Sequence, residues 1–192
     1  GAKMYSEKAK SYVSIRKMAV TGMLAAVSIL LGSTPLGFIP IGPTKATIMH
    51  LPVIIGAIME GPIVGTGIGL IFGIFSMIQA AMAPTVTSFV FLNPLVAVLP
   101  RIMIGITAYY TYKITKNSAV SAAVGTLTNT VGVLSMIYLI YGAQFAEALG
   151  QEKAKAAALI TGIATANGIP EIVVAVLVVS AVVAALNRIK KV

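Results

Sequence analysis

Cysteine and tryptophan are absent from the 192 residues, and histidine occurs only once. Without cysteine the chain forms neither a disulfide framework nor a thiolate metal site, and one histidine with scattered carboxylates is not the ligand set of a zinc centre. It also lacks a nucleophile-elbow motif, a zinc-binding helix, a pair of intramembrane aspartates and a phosphate-binding P-loop. We therefore expect no enzyme activity, no ATP hydrolysis by the chain itself, no metal and no cofactor.

Charged residues are also scarce, at 10% of the chain, whereas 58% of the residues are hydrophobic and the mean hydropathy is +0.97. This balance excludes a soluble globular domain. The apolar runs are continuous rather than alternating, which favours membrane helices over a β-barrel. We predict an all-α polytopic protein of the lipid bilayer, a single transmembrane domain over residues 1–192 that forms a bundle of six helices with a long first external loop.

The net charge of +9 does not indicate a nucleic-acid partner, because lysine and arginine gather at the ends of apolar segments. Lys3, Lys8 and Lys10 precede a first run of about 20 apolar or small residues without a clear cleavage site, so we interpret this run as a spanning helix rather than a signal peptide. Counting Lys and Arg on alternate sides gives ten against three. The excess predicts that both termini are cytoplasmic.

Pro/Gly and polar breaks divide the chain into helices at about 15–34, 45–59, 62–83, 91–113, 118–142 and 169–186. The first external loop, Pro35–Thr44, contains three prolines and two glycines, and Glu60-Gly-Pro62 predicts a tight turn between antiparallel helices. Asn117 is a predicted N-cap. Residues 143–168 mix apolar and charged positions, which predicts a polar external hairpin or surface-lying helix, and Pro170 would then stand in the first turn of the last helix.

Polar residues cluster in the external halves of these helices. With a rise of about 1.5 Å per residue, Arg101 and Asn129 lie roughly 15 and 16 Å deep, near the midplane. An outward-open polar cavity that ends at Arg101 is the interpretation we favour, lined also by residues nearer the external ends: His50, Gln79, Asn93, Asn167 and Glu171. Two alternatives stay open: Arg101 could pair with Glu171, and Asn129 could be a hydrogen-bonding contact between helices.

Small residues form two stripes that predict close helix contacts. Gly65, Gly69 and Gly73 recur every four residues, for which internal packing is the favoured interpretation. Gly22 and Ala26, flanked by Thr21 and Ala25, form the second stripe on the first helix. Spacing alone leaves open whether its partner lies in this chain or in another.

Several segments together carry a family resemblance. They are the loop-to-helix stretch GPTKATIMHLPVIIGA at 42–57, Glu60-Gly-Pro62, Gly125-Thr-Leu-Thr-Asn-Thr130 and Asn167-Gly-Ile-Pro-Glu171. With these residues the chain resembles the substrate-binding S components of energy-coupling factor (ECF) vitamin transporters, over nearly its whole length, and most of all their pantothenate-type branch.

The resemblance implies a prokaryotic plasma-membrane subunit that captures a vitamin and associates with a transmembrane coupling protein and two cytoplasmic ATPases. It implies docking through Gly22, Ala25 and Ala26, where the family's Ala-x-x-x-Ala motif begins here with glycine, and a gate at Pro40–Lys45. Arg101 suits the carboxylate of pantothenate, Asn93, Asn129 and Asn167 suit its neutral groups, and Lys45 suits a ligand contact. Riboflavin or another vitamin is the alternative cargo, and a stand-alone carrier or scaffold is the alternative class.

Overall fold

The computed structural model describes residues 2–34, 37–41 and 44–190, which form seven α-helices and one β-hairpin. The helices are α1 Ala2–Ser33, α2 Leu51–Glu60, α3 Pro62–Met82, α4 Pro94–Ala97, α5 Leu99–Thr115, α6 Ser118–Ala148 and α7 Ala156–Lys190. Strands β1 (Phe38–Ile41) and β2 (Thr44–Thr47) pair antiparallel within the first loop. Two short 3-10 helices lie at Ser88–Leu92 and Lys153–Lys155.

Five segments are long and apolar enough to cross a membrane: Ile15–Ser33, Pro62–Met82, Pro94–Thr115, Ser118–Ala148 and Lys153–Ile189. The prediction of an all-α polytopic membrane protein is confirmed. The predicted second helix at 45–59 is wrong at its start, because residues 44–47 pair with β1 and the helix begins at Leu51. With ten residues α2 is about 15 Å long, half of a bilayer core of about 30 Å.

Short α2 forms the centre of the bundle. Val53, Ile54 and Ala57 are fully buried, and α2 packs against α1, α3, α5, α6 and α7. Because its residues from Leu51 to Ile58 are apolar on all sides and buried, α2 is a core element rather than an amphipathic helix. It ends at the predicted tight turn, where Gly61 takes a φ of 99°, a conformation that favours glycine, and Pro62 begins α3.

The glycine stripe of α3 lies against α5. A Cβ on Gly65 would stand 3.2 Å from the Cα of Gly105. A Cβ on Gly69 would overlap with the carbonyl group of Arg101, and one on Gly73 would lie 2.6 Å from the Cα of Val98. The two backbones therefore touch, as small residues allow. The favoured interpretation of this stripe as internal packing is confirmed.

Of the two predicted alternatives for residues 143–168, the structure forms a hairpin of two helices and not a surface-lying helix. These residues extend α6 to Ala148 and begin α7 at Ala156, so Pro170 stands inside α7 rather than in a first turn. The reason is visible in the packing: Phe145 and Ile160 are buried in a second apolar cluster with Val133 and Ile137. These side chains are covered by the neighbouring helix and by Val90 and Val96, so they need no membrane surface.

The predicted fourth helix at 91–113 is interrupted. After the 3-10 helix, Asn93 caps α4 by accepting a hydrogen bond from the Leu95 amide at 3.0 Å, and α5 starts only at Leu99. Two prolines without an N–H group, Pro94 and Pro100, stand at the two helix starts, where this loss costs least. The predicted cap of α6 is confirmed, since Asn117 Oδ1 accepts from the amide of Ala119 at 2.9 Å.

Candidate functional site

Two cavities meet at Arg101 on α5. The first, called the α3 cavity, has a volume of about 410 Å³ and is lined by Met49, Phe72, Ser76, Gln79, Ala80, Ala83, Thr85, Ser88, Phe91 and Arg101. The second, called the α7 cavity, has a volume of about 340 Å³ and is lined by Thr47, Arg101, Asn129, Thr130, Val133, Leu134, Ile163, Asn167 and Glu171. Both volumes fall at the lower end of the range of about 300 to 1,000 Å³ for small-molecule sites.

The Arg101 side chain is fixed on several sides. Nε donates to Asn129 Oδ1 at 3.1 Å, and Nη1 donates to the carbonyl oxygen of Ala97 at 2.8 Å. The guanidinium carbon lies 4.8 Å from the ring centroid of Phe72 and 5.5 Å from that of Phe91, which is cation–π distance. Gly69 lies directly against its backbone. The position of the charge on α5 is therefore set by contacts with α3, α4, α6 and the 3-10 helix Ser88–Leu92.

Arg101 is buried, with 7% of its surface exposed, yet its charge is not neutralised within the described residues. The ion pairs found there join Arg16 to Glu60 and Lys153 to Glu147. The alternative of an ion pair between Arg101 and Glu171 is thus not formed in this part of the chain. Nor does any hydrogen bond from Nη2 reach a described group. A buried charge without a partner is costly, so this arrangement is suited to receive an anion.

Glu171 on α7 bonds to the β1–β2 hairpin instead. Its Oε1 accepts from the Thr47 hydroxyl at 3.2 Å and from the Thr47 amide at 3.4 Å. Thr47 is the last residue of β2. One side chain of the α7 cavity therefore holds the first loop in place over that cavity.

The other predicted site residues fall into different positions. Gln79 lines the α3 cavity and donates to the carbonyl oxygen of Gly32 at 2.9 Å, and Asn167 lines the α7 cavity. Asn93 lines neither cavity, because its amide serves the α4 cap and donates to the Tyr141 hydroxyl at 3.3 Å. The side chain of Lys45 lies outside the described part of the structure, although its backbone pairs with Pro40 in the hairpin.

His50 is buried at the start of α2. Its Nε2 lies 2.9 Å from the Thr126 hydroxyl, and it lines neither cavity. Nδ1 has no hydrogen-bond partner in the described residues. Within the same residues, no group of three or more histidine, cysteine, aspartate or glutamate side chains could hold a metal ion. His50 therefore joins α2 to α6.

Sequence reasoning missed four residues that shape the site: Phe72, Phe91, Thr47 and Met49. Phe72 stands in the turn between Gly69 and Gly73, so the glycine stripe that packs on α5 also directs an aromatic ring to Arg101. Phe91 comes from the break between helices, which had no distinct signal in its sequence. The polar pattern identified the charge, but not its aromatic neighbours.

A family model described as "ECF transporter, substrate-specific component" matches residues 16–183. The chain belongs to this family. The ECF component is 36% identical over 163 residues to the pantothenic acid transporter PanT of Lactococcus lactis subsp. cremoris, which covers 76% of this chain and 80% of that relative. It is 28% identical over 181 residues to the pantothenate transporter PanT of Leuconostoc mesenteroides, covering 86% and 89% of the two chains.

The predicted docking residues of this ECF component divide into two groups. Gly22 and Ala26 are exposed on α1, and a Cβ added at Gly22 would meet no atom within 4 Å. Ala25 is buried and belongs to the main apolar core with α2 and α3. Ala25 therefore packs inside the bundle, whereas Gly22 and Ala26 leave small residues exposed on the surface of α1.

Proposed function

We propose that this ECF component captures pantothenate from outside a prokaryotic cell, with the ligand's carboxylate at Arg101. The observation that carries the proposal is the buried Arg101 guanidinium, which has aromatic rings near it and a free Nη2, but no carboxylate partner in the described residues. Two relatives that match most of the chain are named as pantothenate transporters, which supports the same ligand.

The contacts around Arg101 favour a carboxylate ligand over riboflavin. Riboflavin has a flat ring system that would need an open aromatic face. Phe72 and Phe91 line the α3 cavity, but the guanidinium of Arg101 already lies over both rings. A carboxylate can instead approach Nη2 and form a charge-assisted hydrogen bond without displacing either ring.

The proposed ligand contacts are Arg101, Asn129, Asn167, Glu171 and Gln79, which line the two cavities. Lys45 stays a proposed contact on the external hairpin. His50 and Asn93 are proposed to act through the packing of α2 and α4, because their polar atoms are engaged by Thr126, Leu95 and Tyr141.

Orientation and partners belong to the same proposal. Both termini face the cytoplasm, in agreement with the ten-to-three excess of Lys and Arg, so the hairpin and the α6–α7 connection lie outside. Gly22 and Ala26 dock to a transmembrane coupling protein, and two cytoplasmic ATPases supply the energy. The exposed small surface of α1 supports such docking, because close helix approach in lipid requires small residues.

Two measurements test this function. Isothermal titration of the purified protein with pantothenate and with riboflavin should give binding of pantothenate alone. Liposomes that contain the protein, a coupling protein and both ATPases should take up labelled pantothenate only when ATP is enclosed with the ATPases. Binding of riboflavin would contradict pantothenate as the cargo. Uptake that persists without the ATPases would identify a stand-alone carrier instead.

A further inference from the structure

Among the described residues, Glu171 accepts hydrogen bonds at one carboxylate oxygen and not at the other. The two bonds found there go to Oε1, from the amide and the hydroxyl of Thr47. Across the described residues, none reaches Oε2. The residue is buried, with 9% of its surface exposed, and it lines the α7 cavity. Because Glu171 lines the cavity and a carboxylate oxygen accepts hydrogen bonds, Oε2 can accept one from a donor on the ligand.

Arg101 lines the same cavity, and its Nη2 donates no hydrogen bond to any described residue. The two residues form no ion pair with each other among the described side chains. The α7 cavity therefore offers a cationic donor at one place and an anionic acceptor at another. A ligand that matches both has a negative group at one end and hydrogen-bond donors at the other.

We infer that Glu171 determines ligand specificity by accepting hydrogen bonds from the hydroxyl end of pantothenate and by rejecting ligands with a second carboxylate at that end. The inference rests on the proposed function. With the pantothenate carboxylate at Arg101, the two hydroxyl groups lie at the opposite end of the ligand. An ionised carboxylate only accepts hydrogen bonds, so Glu171 can take O–H donors but repels another anion.

The neighbours of Glu171 fit a neutral polar end of the ligand. Asn167 stands four residues earlier in α7 and thus on the same helix face, and both residues line the cavity. Thr130 of α6 lines it too. Among the described residues that line the cavity, Glu171 is the single acidic side chain, so the charge discrimination falls on this residue.

The experiment compares three probes by titration calorimetry on the full-length protein. The probes are pantothenate, N-(3,3-dimethylbutanoyl)-β-alanine, which lacks both hydroxyls, and N-succinyl-β-alanine, which carries a second carboxylate. The wild type should prefer pantothenate over each of the other two by about tenfold or more, since a hydrogen bond to a charged group is worth about 1.5 to 3 kcal/mol. In Glu171→Leu the preference over the hydroxyl-free probe should fall below about threefold.

Glu171→Gln is the second variant, isosteric and uncharged. In this variant the affinity for the succinyl probe relative to that for pantothenate should rise about tenfold, because the like-charge repulsion is removed. Since Gln preserves the shape of Glu171, this result can be obtained even if the leucine variant does not fold.

Two controls separate an effect on specificity from an effect of the hydrogen bonds that join Glu171 to the hairpin. Thr47→Val removes the hydroxyl bond to Glu171, so it should weaken all three probes together and leave their ratios unchanged. Glu147→Gln replaces an exposed glutamate that pairs with Lys153, and should change neither affinity nor ratio.

Three results would overturn the inference. If both Glu171 variants lose affinity equally for all three probes, Glu171 only holds the hairpin in place and does not determine specificity. If the wild type binds β-alanine tightly and Glu171→Gln does not, Glu171 binds an ammonium group instead. Absence of pantothenate binding to the wild type would overturn the proposed function along with the inference, whereas binding with unchanged ratios would overturn the inference alone.

Discussion

Arg101 donates a hydrogen bond from Nε to Oδ1 of Asn129 over 3.1 Å, and this bond joins α5 to α6 at the boundary of two cavities. Through it, Asn129 fixes the guanidinium so that Nη1 reaches the carbonyl oxygen of Ala97 while Nη2 stays available. A preorganised donor group loses little freedom when a carboxylate binds, which is one source of affinity.

Asn129→Ala should therefore weaken pantothenate binding by about tenfold, as expected for the loss of a bond of about 1.5 kcal/mol to a charged group. Calorimetric titration measures the affinity. Ser135→Ala is the matched control, because Ser135 is exposed on the same helix, and it should bind as the wild type does. Equal affinities of the Asn129 variant and the wild type would show that the bond does not position Arg101 for the ligand.

Gly69→Ala should lower stability and ligand affinity together. A Cβ at this position would overlap with the Arg101 carbonyl group, so α5 must move away from α3 at the charged residue. Overpacking of this kind costs about 1 to 3 kcal/mol. Thermal unfolding in detergent and titration with pantothenate check the two effects. Gly22→Ala, where the added Cβ meets nothing within 4 Å, should leave both values unchanged. A Gly69→Ala protein with native stability and affinity would contradict the close contact.

Gly22→Leu should preserve ligand binding and abolish transport. Gly22 is exposed on α1, so a leucine fits the isolated protein but blocks close approach of a partner helix. Copurification with the coupling protein and ATP-dependent uptake in liposomes provide the readouts. Gly162→Leu is the matched control, since Gly162 on α7 is also exposed and free of neighbours within 4 Å. If both leucine variants assemble and transport normally, α1 is not the docking surface.

His50 and Thr126 should behave as one structural unit. Their side chains meet at 2.9 Å in the core, so His50→Leu and Thr126→Val should each lower stability by about 1 to 3 kcal/mol, the cost of leaving a buried polar group unpaired. In the double variant the losses should not add, which a double-mutant cycle of unfolding free energies measures. Strictly additive losses would mean that the two side chains do not interact. A change in stability on adding a metal chelator would point to a metal at His50 instead.

Much of the fold is predictable from the sequence because lipid requires long apolar helices with charged ends. The tight turn at Gly61, the Asn117 cap and the glycine packing of α3 all carry local signals that the structure confirms. For residues 143–168, mixed apolar and charged positions left a hairpin and a surface-lying helix open, and the structure forms the hairpin. Their apolar side chains are instead covered by a neighbouring helix, and sequence spacing does not identify which element covers a given face.

The site was predictable in part. Depth arithmetic placed Arg101 and Asn129 at a common level, and they are in direct contact. Depth alone could not distinguish residues that line a cavity from residues whose polar atoms form local hydrogen bonds. Asn93 is an example, because its side-chain oxygen caps α4. Depth also could not find Phe72 and Phe91, because the contact of an aromatic ring with a cation depends on how three helices pack.

The central claim is that Arg101 binds the carboxylate of pantothenate, and one measurement tests it most directly. Titration calorimetry should compare pantothenate with panthenol, in which an alcohol replaces the carboxylate, on the wild type and on Arg101→Gln. The wild type should prefer pantothenate by about tenfold to a hundredfold, the effect of a charge-assisted bond of about 1.5 to 3 kcal/mol, and the variant should bind both compounds alike. If Arg101→Gln keeps the full preference for pantothenate, the carboxylate binds elsewhere and the account is wrong.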